Sequence, residues 1–186
     1  MKRPVEKRQV EGWKDRASLA ITTFGVGYLP GPTGTYGSAV GVAIYVALAL
    51  VEPKFAAHLR GGGLSAAAAD SVLFIINTVL LAAFCFVGIA ASTRAIDLLG
   101  DEDASEAVVD EVMGQLVTLA FVPFTLSWPM LLAGFLLFRL FDIWKPYPIN
   151  DLQYLKGGLG ICADDLVAGV YAGLCLAIFS YLATIF

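Results

Sequence analysis

Charged residues are scarce in this chain, and histidine is almost missing from it. Only 15% of its 186 residues are charged and 58% are hydrophobic, whereas a soluble domain has about 25% charged and about 45–50% apolar residues. The net charge of −4 disfavours a nucleic-acid partner, because a phosphate backbone requires a basic surface. With a mean hydropathy of +0.76, the composition indicates one integral membrane domain over residues 1–186.

Cysteine is sparse as well. Cys85, Cys162 and Cys175 are far apart in the sequence and form no CxxC pair. The pattern therefore predicts neither a disulfide framework nor a zinc site. Each of these cysteines is expected to pack as a small apolar side chain.

Long apolar segments predict an all-α, polytopic membrane bundle, because a membrane-spanning helix needs roughly 20 apolar residues. The apolar stretch 112–141 is too long for one straight helix, and Pro123 and Pro129 interrupt it, so we predict a helical hairpin there. Trp128 at its turn is typical of a membrane interface. About four to five membrane helices are thus predicted, at residues 37–52, 71–92, 105–124, 128–143 and 166–186.

Positive charge near the N-terminus predicts the orientation of this bundle. Six Lys or Arg residues precede the first predicted span, so residues 1–18 are expected to form a basic cytoplasmic tail. Counting crossings from that tail places three further segments on the cytoplasmic face. These segments, at 19–36, 93–111 and 139–165, hold nearly every unusual residue of the chain, which predicts one composite site.

The first segment runs into a glycine-rich stretch, residues 22–38. Its five glycines and two prolines predict a turn rather than a helix interior. A turn of this kind before a helix N-terminus can offer backbone N–H groups to a phosphate, and Thr33, Thr35 and Ser38 add hydroxyl donors. The alternative is a tight re-entrant turn without a ligand.

The second segment ends in two adjacent carboxylates, Asp110 and Glu111, among valines. Such carboxylates repel each other and lose solvation, so a compensating positive charge is expected. A hard divalent cation such as Mg²⁺ prefers oxygen ligands of this kind. The alternative is that both acids are solvated at the headgroup level and merely end a helix.

The third segment carries charges of both signs. Arg139 and Asp142 are three residues apart, which places them on one helical face, and Lys145 follows before a proline-rich turn. Lys156 lies in a flexible loop, and the pair Asp164–Asp165 stands at the start of the last predicted span. The alternative is that these two acids only stabilise the positive end of the helix dipole at the N-terminus of that helix. Carboxylates that bind a metal beside cations that grip phosphate are typical of metal-assisted phosphoryl chemistry.

The scarcity of histidine limits which group can act as the nucleophile. His58, the single histidine, falls in the 53–70 loop on the opposite side, so neither a phosphohistidine nor a Ser–His–Asp triad is expected. A water activated by a divalent metal is the expected nucleophile. A covalent aspartyl-phosphate stays open as an alternative.

Four motifs, PGPTGTYGS, VVDEVMGQ, FRLFDIWKPYPI and GGLGICADDLVAG, resemble those of the phosphatidylglycerophosphatase A family. The resemblance covers about residues 20–175, in the same order and with similar spacing. It implies a multi-pass enzyme of the bacterial inner membrane. That enzyme would hydrolyse the terminal phosphate monoester of phosphatidylglycerophosphate with Mg²⁺, at a site facing the cytoplasm, and release phosphatidylglycerol and inorganic phosphate.

The resemblance also implies roles for individual residues. The expected catalytic carboxylates are Asp110, Glu111, Asp142, Asp164 and Asp165. The expected metal ligands among them are Asp110, Glu111, Asp164 and Asp165. The expected phosphate-binding residues are Arg139, Lys145, Lys156, Thr35 and Ser38. The chain departs from the family pattern at Thr33, where proline is usual, and at Cys162, where a bulkier residue such as methionine is common; neither is an expected ligand.

Two other functions are weighed against this one. A CDP-alcohol phosphatidyltransferase is also membrane-embedded and Mg²⁺-dependent, but its DGxxAR…G…D signature is missing from the sequence. A small transporter or channel places polar residues near the bilayer midplane, whereas the spans 71–92 and 166–186 carry no charge. The oligomeric state is left open by the sequence.

Overall fold

The computed structural model describes residues 5–102 and 104–183, and within these ranges the chain is helical and contains no strand. This confirms the predicted all-α class. Seven α-helices follow one another, with a short 3₁₀ turn at Val26–Tyr28 after the first. Their bounds are α1 Gly12–Thr23, α2 Thr33–Gly61, α3 Ala66–Leu99, α4 Val109–Leu119, α5 Trp128–Trp144, α6 Ile149–Leu152 and α7 Gly158–Leu182.

Three of these helices, α2, α3 and α7, are long and apolar enough to cross a membrane. Helix α5 has seventeen residues, at the lower limit of about 17–25 for a span. Helix α4 has only eleven, about 16 Å of length, which is too short to cross. The span predicted at 105–124 is therefore replaced by a shorter helix, Val109–Leu119. Pro123 explains its end, because a proline ring clashes with the carbonyl four residues earlier, here that of Leu119.

The start of α2 differs from the prediction. Residues 33–38 were expected in a turn, yet they form the first turns of the helix, which begins at Thr33. The glycines serve close packing here. A Cβ added at Gly37 would lie 2.8 Å from the carbonyl oxygen of Val108, and one at Gly41 would lie 2.8 Å from Cβ of Gln115. Helix α2 can therefore approach α4 at van der Waals distance.

Helix α1 lies partly within the stretch expected to be a tail; residues 1–4 of that stretch lie outside the described residues. Asp15 of α1 is fully buried. Its carboxylate accepts hydrogen bonds from Arg8 at 2.8 Å and from Arg94 of α3 at 2.6 Å. These two ion pairs hold α1 against the end of α3.

Helix α4 lies at the centre of the bundle, between α2 and α7. Close contact with α7 depends on two glycines. A Cβ at Gly114 would lie 2.6 Å from the carbonyl oxygen of Asp165, and one at Gly169 would collide with the carbonyl of Gly114. Thr118 donates to the carbonyl oxygens of both glycines, at 2.9 and 3.3 Å. This packing fixes the acidic ends of α4 and α7 side by side.

Candidate functional site

A cavity of about 190 Å³ opens at the end of the bundle where α2, α4 and α7 begin and where α3 and α5 end. The structure thus brings the three segments that the sequence singles out to one place. Five acidic residues from three helices line the cavity together with one lysine: Asp110, Glu111, Asp142, Asp164, Asp165 and Lys145.

Asp110, Glu111 and Asp165 form the tightest group in this cavity, which we call the acidic triplet. One carboxylate oxygen from each lies within 4.8 Å of the others. The first two residues occupy the first turn of α4, and the third lies two turns into α7. An adjacent pair on one helix thus meets a single carboxylate from its neighbour.

The two cations of the site form ion pairs with Asp142 and Asp164. Arg139 donates to Asp142 at 2.5 Å, as their spacing on one helical face predicts. Lys145 ends α5 in a left-handed conformation, with φ of 46°, and its ammonium lies 2.6 Å from Asp164. The side chains of both pairs are largely buried.

The charge of the site does not balance. Six carboxylates line the cavity, Glu102 among them, and Arg139 and Lys145 are paired with Asp142 and Asp164, so the acidic triplet has no ion-pair partner within the described part of the chain. Buried oxygens of Asp110, Glu111 and Asp164 accept no hydrogen bond there either. Buried charges normally require such compensation.

The pKa values of the site residues reflect this unbalanced charge. Burial raises the pKa of Asp110 well above its ordinary value, and the carboxylates of Glu111 and Asp165 add to the shift. Burial also raises the pKa of Glu111. For Lys145, burial acts to lower the pKa, but the hydrogen bond and charge of Asp164 outweigh it and the pKa is raised. These shifts favour the ammonium form of Lys145 and oppose ionisation of the two carboxyls of α4, which a bound cation would offset.

The residues present fit a hard divalent cation. Mg²⁺ takes oxygen ligands and commonly binds through one or two carboxylates plus substrate phosphates. The acidic triplet supplies three converging oxygens, and the unpartnered oxygen of Asp164 lies in the same cavity. Asp142 of α5, whose carboxylate is held by Arg139, lines the same cavity.

The expected phosphate-binding hydroxyls are placed unequally. Thr33, the first residue of α2, lines the cavity, whereas Thr35 and Ser38 do not. Ser38 is fully buried and donates to the carbonyl oxygen of Gly34 in its own helix, at 2.9 Å. Lys156 is exposed and lies outside the cavity wall, although its neighbour Gly157 contributes to that wall.

Some residues at the site were missed in the sequence. Glu102 and Gln153 line the cavity, and both lie in irregular or short elements that give no periodic signal. Gln115 of α4 does not line the cavity; it packs against Gly41 of α2, is fully buried, and neither its amide nitrogen nor its amide oxygen has a hydrogen-bond partner among the described residues. A glutamine within an apolar helix was the signal that could have identified it.

Comparison with known proteins adds an independent finding. Residues 19–180 match the family described as Phosphatidylglycerophosphatase A. The chain is 34% identical over 157 residues to the phosphatidylglycerophosphatase A of Haemophilus influenzae, covering 83% of this chain and 82% of the relative. It is 35% identical over 161 residues to a candidate phosphatidylinositol-3-phosphatase of Bacteroides thetaiotaomicron, covering 86% and 91%. No solved structure matches the chain.

Proposed function

The chain belongs to the phosphatidylglycerophosphatase A family, and from that premise we propose that it hydrolyses the terminal phosphate monoester of phosphatidylglycerophosphate. The products are phosphatidylglycerol and inorganic phosphate, and the reaction depends on Mg²⁺. The family and its relatives support a phosphatase. The observation that carries the metal dependence is the acidic triplet, three converging carboxylates without a cation beside two that have one.

Four residues are proposed to hold the ion: Asp110, Glu111, Asp165 and, through its unpartnered oxygen, Asp164. When bound, Mg²⁺ polarises phosphoryl oxygens and lowers the pKa of a water molecule. Asp142 would keep the guanidinium of Arg139 oriented towards the cavity. The short ion pairs of α5 restrict both cations, so their positions are set before the substrate arrives.

Arg139 and Lys145 are proposed to bind the terminal phosphate. Arginine presents a rigid fork of donors that suits phosphate oxygens, and lysine offers a point charge. The beginning of α2 at Thr33 adds the positive end of a helix dipole at the cavity wall. Lys156, which is exposed outside the wall, would attract the anionic headgroup at longer range. Thr35 and Ser38 remain predictions that the placement of their side chains does not favour.

Hydrolysis then requires one bond to form and one to break. The oxygen of water bonds to phosphorus, the bond from phosphorus to the glycerol oxygen breaks, and the electron pair stays with that oxygen. A carboxylate of the site accepts the proton of the water, and a proton is returned to the leaving glycerol oxygen. The buried carboxylates of the triplet, with pKa values raised for Asp110 and Glu111, suit this exchange.

The site is proposed to face the cytoplasm of the bacterial inner membrane. Basic residues precede α2, and Arg8 and Arg94 lie at the same end of the bundle as the cavity, where α1 packs on the end of α3. Cytoplasmic segments of membrane proteins carry an excess of Lys and Arg. A lipid substrate would keep its acyl chains in the bilayer while its headgroup enters the cavity.

A second candidate substrate is phosphatidylinositol 3-phosphate. The relative from Bacteroides thetaiotaomicron, which matches most of this chain, is named for that activity. Both lipids present a phosphate monoester, so the same carboxylates and cations would act on either. The part of the cavity that contacts glycerol or inositol would determine which of the two lipids is preferred.

The test is release of inorganic phosphate by detergent-purified protein, with Mg²⁺ and with a chelator, from each of the two lipids. Mg²⁺-dependent release from phosphatidylglycerophosphate at a clearly higher kcat/KM supports the proposal. Preference for the phosphoinositide would move the second candidate to the front. No release from either lipid by folded protein, under any divalent metal, would overturn both.

A further inference from the structure

A second and larger cavity lies beside the acidic one, in a groove between α2 and α5. Its volume is about 510 Å³, within the range of about 300–1,000 Å³ typical of ligand pockets. Apolar side chains form its walls, among them Ala39 and Val42 of α2 and Trp128, Leu132 and Phe135 of α5. Nothing in the phosphatase chemistry uses this groove.

The groove runs along one face of α5 towards the phosphate-binding end. Trp128, Leu132, Phe135 and Arg139 follow each other at intervals of four, three and four residues, so they share one helical face. The distance along the helix from the first to the last is about 16 Å. That is about half of the roughly 30 Å hydrocarbon core, and so comparable to one leaflet.

Helix α2 contributes to the walls of both cavities, with Thr33 in the acidic one and Ala39 and Val42 in the groove. A Cβ added at Gly34 would collide with a carboxylate oxygen of Glu111 and lie 2.9 Å from the guanidinium of Arg139. Ala39 and Val42, further along the same helix, already belong to the groove. Arg139 therefore packs on α2 at Gly34, which lies between Thr33 of the acidic cavity and Ala39 of the groove.

We propose that this groove binds one acyl chain of the lipid substrate while Arg139 holds its phosphate end. An apolar channel that ends at a cation complements a molecule with an apolar tail and an anionic head. The groove is open at its side, since Trp128 is 80% exposed and Leu132 is 56% exposed, so the chain enters from the surrounding bilayer. This inference rests on the proposed function and adds a determinant of chain-length selectivity.

The first test fills the groove. Ala39→Trp places a large side chain in it, and Ala90→Trp on α3 is the matched control. Both alanines are exposed on apolar helices. They lie at one level of the bundle, because Gly41 and Gly88, two residues from each, both pack on residues 109–115 of α4.

The measurement is kcat/KM for phosphate release from phosphatidylglycerophosphate with two sixteen-carbon chains and with two six-carbon chains. We expect Ala39→Trp to lower the value at least tenfold for the long-chain lipid and less than twofold for the short-chain lipid, with Ala90→Trp unchanged on both. An equal fall on both lipids, or no fall on either, would overturn the groove. No release by the wild-type protein from either lipid would instead count against the proposed function.

A second measurement needs no turnover. A lipid phosphate that carries a photoreactive group in its acyl chain should label residues 131–135 at least fivefold more than a phosphatidylcholine with the same group. The soluble six-carbon phosphatidylglycerophosphate should compete with this labelling. Equal labelling by both lipids means ordinary contact with the bilayer and contradicts the proposal.

Discussion

The ammonium of Lys145 lies 2.6 Å from one carboxylate oxygen of Asp164, and the other oxygen of that carboxylate is buried without a hydrogen-bond partner among the described residues. Asp164 thus connects the two halves of the site. One of its oxygens pairs with Lys145, a cation that can bind phosphate, and the other can bind a metal. Lys145 is the left-handed C-cap of α5 and Asp164 belongs to α7. The pair therefore also connects the ends of two helices across the cavity.

Replacing Lys145 by methionine should reduce both stability and activity. The change leaves the buried carboxylate of Asp164 without its cation, and loss of a hydrogen bond to a charged group costs roughly 1.5–3 kcal/mol. We expect a lower Tm in detergent and at least a tenfold loss of kcat/KM for phosphate release. Lys145→Arg, which keeps the charge, should retain more of both.

The double variant Lys145→Met/Asp164→Asn separates the two effects. It removes the unpaired charge, so its Tm should recover relative to the single variant while its activity stays low. A Tm equal to that of Lys145→Met alone would mean that the unpaired carboxylate of Asp164 is not what destabilises the single variant.

Asp165→Asn and Glu111→Gln should abolish most of the hydrolysis. Each removes one of three converging anionic oxygens without changing the size of the side chain, and loss of a single group that stabilises charge in an active site costs about 100- to 1,000-fold in kcat. The measurement is phosphate release at saturating Mg²⁺ by variants with a wild-type elution profile and Tm.

Asp70→Asn is the matched control for these two variants. Asp70 pairs with Arg60 in an exposed bridge at the opposite end of the bundle, so the same chemical change should leave activity within twofold. Near-normal activity of both Asp165→Asn and Glu111→Gln would remove the basis for a metal site at the acidic triplet.

Spacing within one helix was the most reliable guide to this structure. The interval between Arg139 and Asp142 predicted that they share one helical face, and the structure pairs them there. The fourth predicted helix, 128–143, matches α5 to one residue. Lys145 is followed by Pro146, which cannot continue the helix, and α5 ends there as expected. Such features depend only on residues that are close in the sequence, so they can be predicted from it.

Features that depend on distant residues could not be predicted in the same way. The glycines after Thr33 were interpreted as a turn because their use, close contact with α4, appears only when α2 and α4 are packed. Helix α1 is held by Asp15 and Arg94, which are 79 residues apart. The shortness of α4 follows from Pro123, but the same proline also suited a longer hairpin.

Acid should loosen α1 before it affects the rest of the bundle. The hydrogen bonds of Asp15 with Arg8 and with the backbone N–H of Glu11 lower its pKa below the ordinary value of 3.8. A depressed pKa stabilises the fold above the unfolded-state value, and this contribution is lost as pH falls from about 4 towards the folded-state value. We therefore expect the Tm of the wild-type protein to drop over that range.

Asp15→Asn provides the comparison, because an amide has no charge to lose. Its Tm should be lower than that of the wild type at pH 7, and the difference should shrink as the pH falls below about 4. Parallel Tm curves for the two proteins down to pH 3 would show that the ion pairs with Arg8 and Arg94 do not contribute to stability.

The orientation of the site in the membrane can be tested with single cysteines. Lys156→Cys lies beside the cavity, in an exposed loop between α6 and α7, and Gly61→Cys lies at the far end of α2, where an added Cβ meets nothing within 4 Å. Both are made after the natural cysteines Cys85, Cys162 and Cys175 are replaced by alanine. A membrane-impermeant maleimide is then applied to right-side-out and to inverted vesicles.

A cytoplasmic site requires opposite labelling patterns for the two positions. The Lys156→Cys variant should react only in inverted vesicles, because position 156 lies at the end of the bundle where the basic residues before α2 gather. The Gly61→Cys variant should react only in right-side-out vesicles. The reverse pattern would place the acidic triplet outside the cytoplasm and would contradict hydrolysis of a lipid in the cytoplasmic leaflet. Labelling of both positions from one side would mean that α2 does not cross the membrane, against its length of 29 residues.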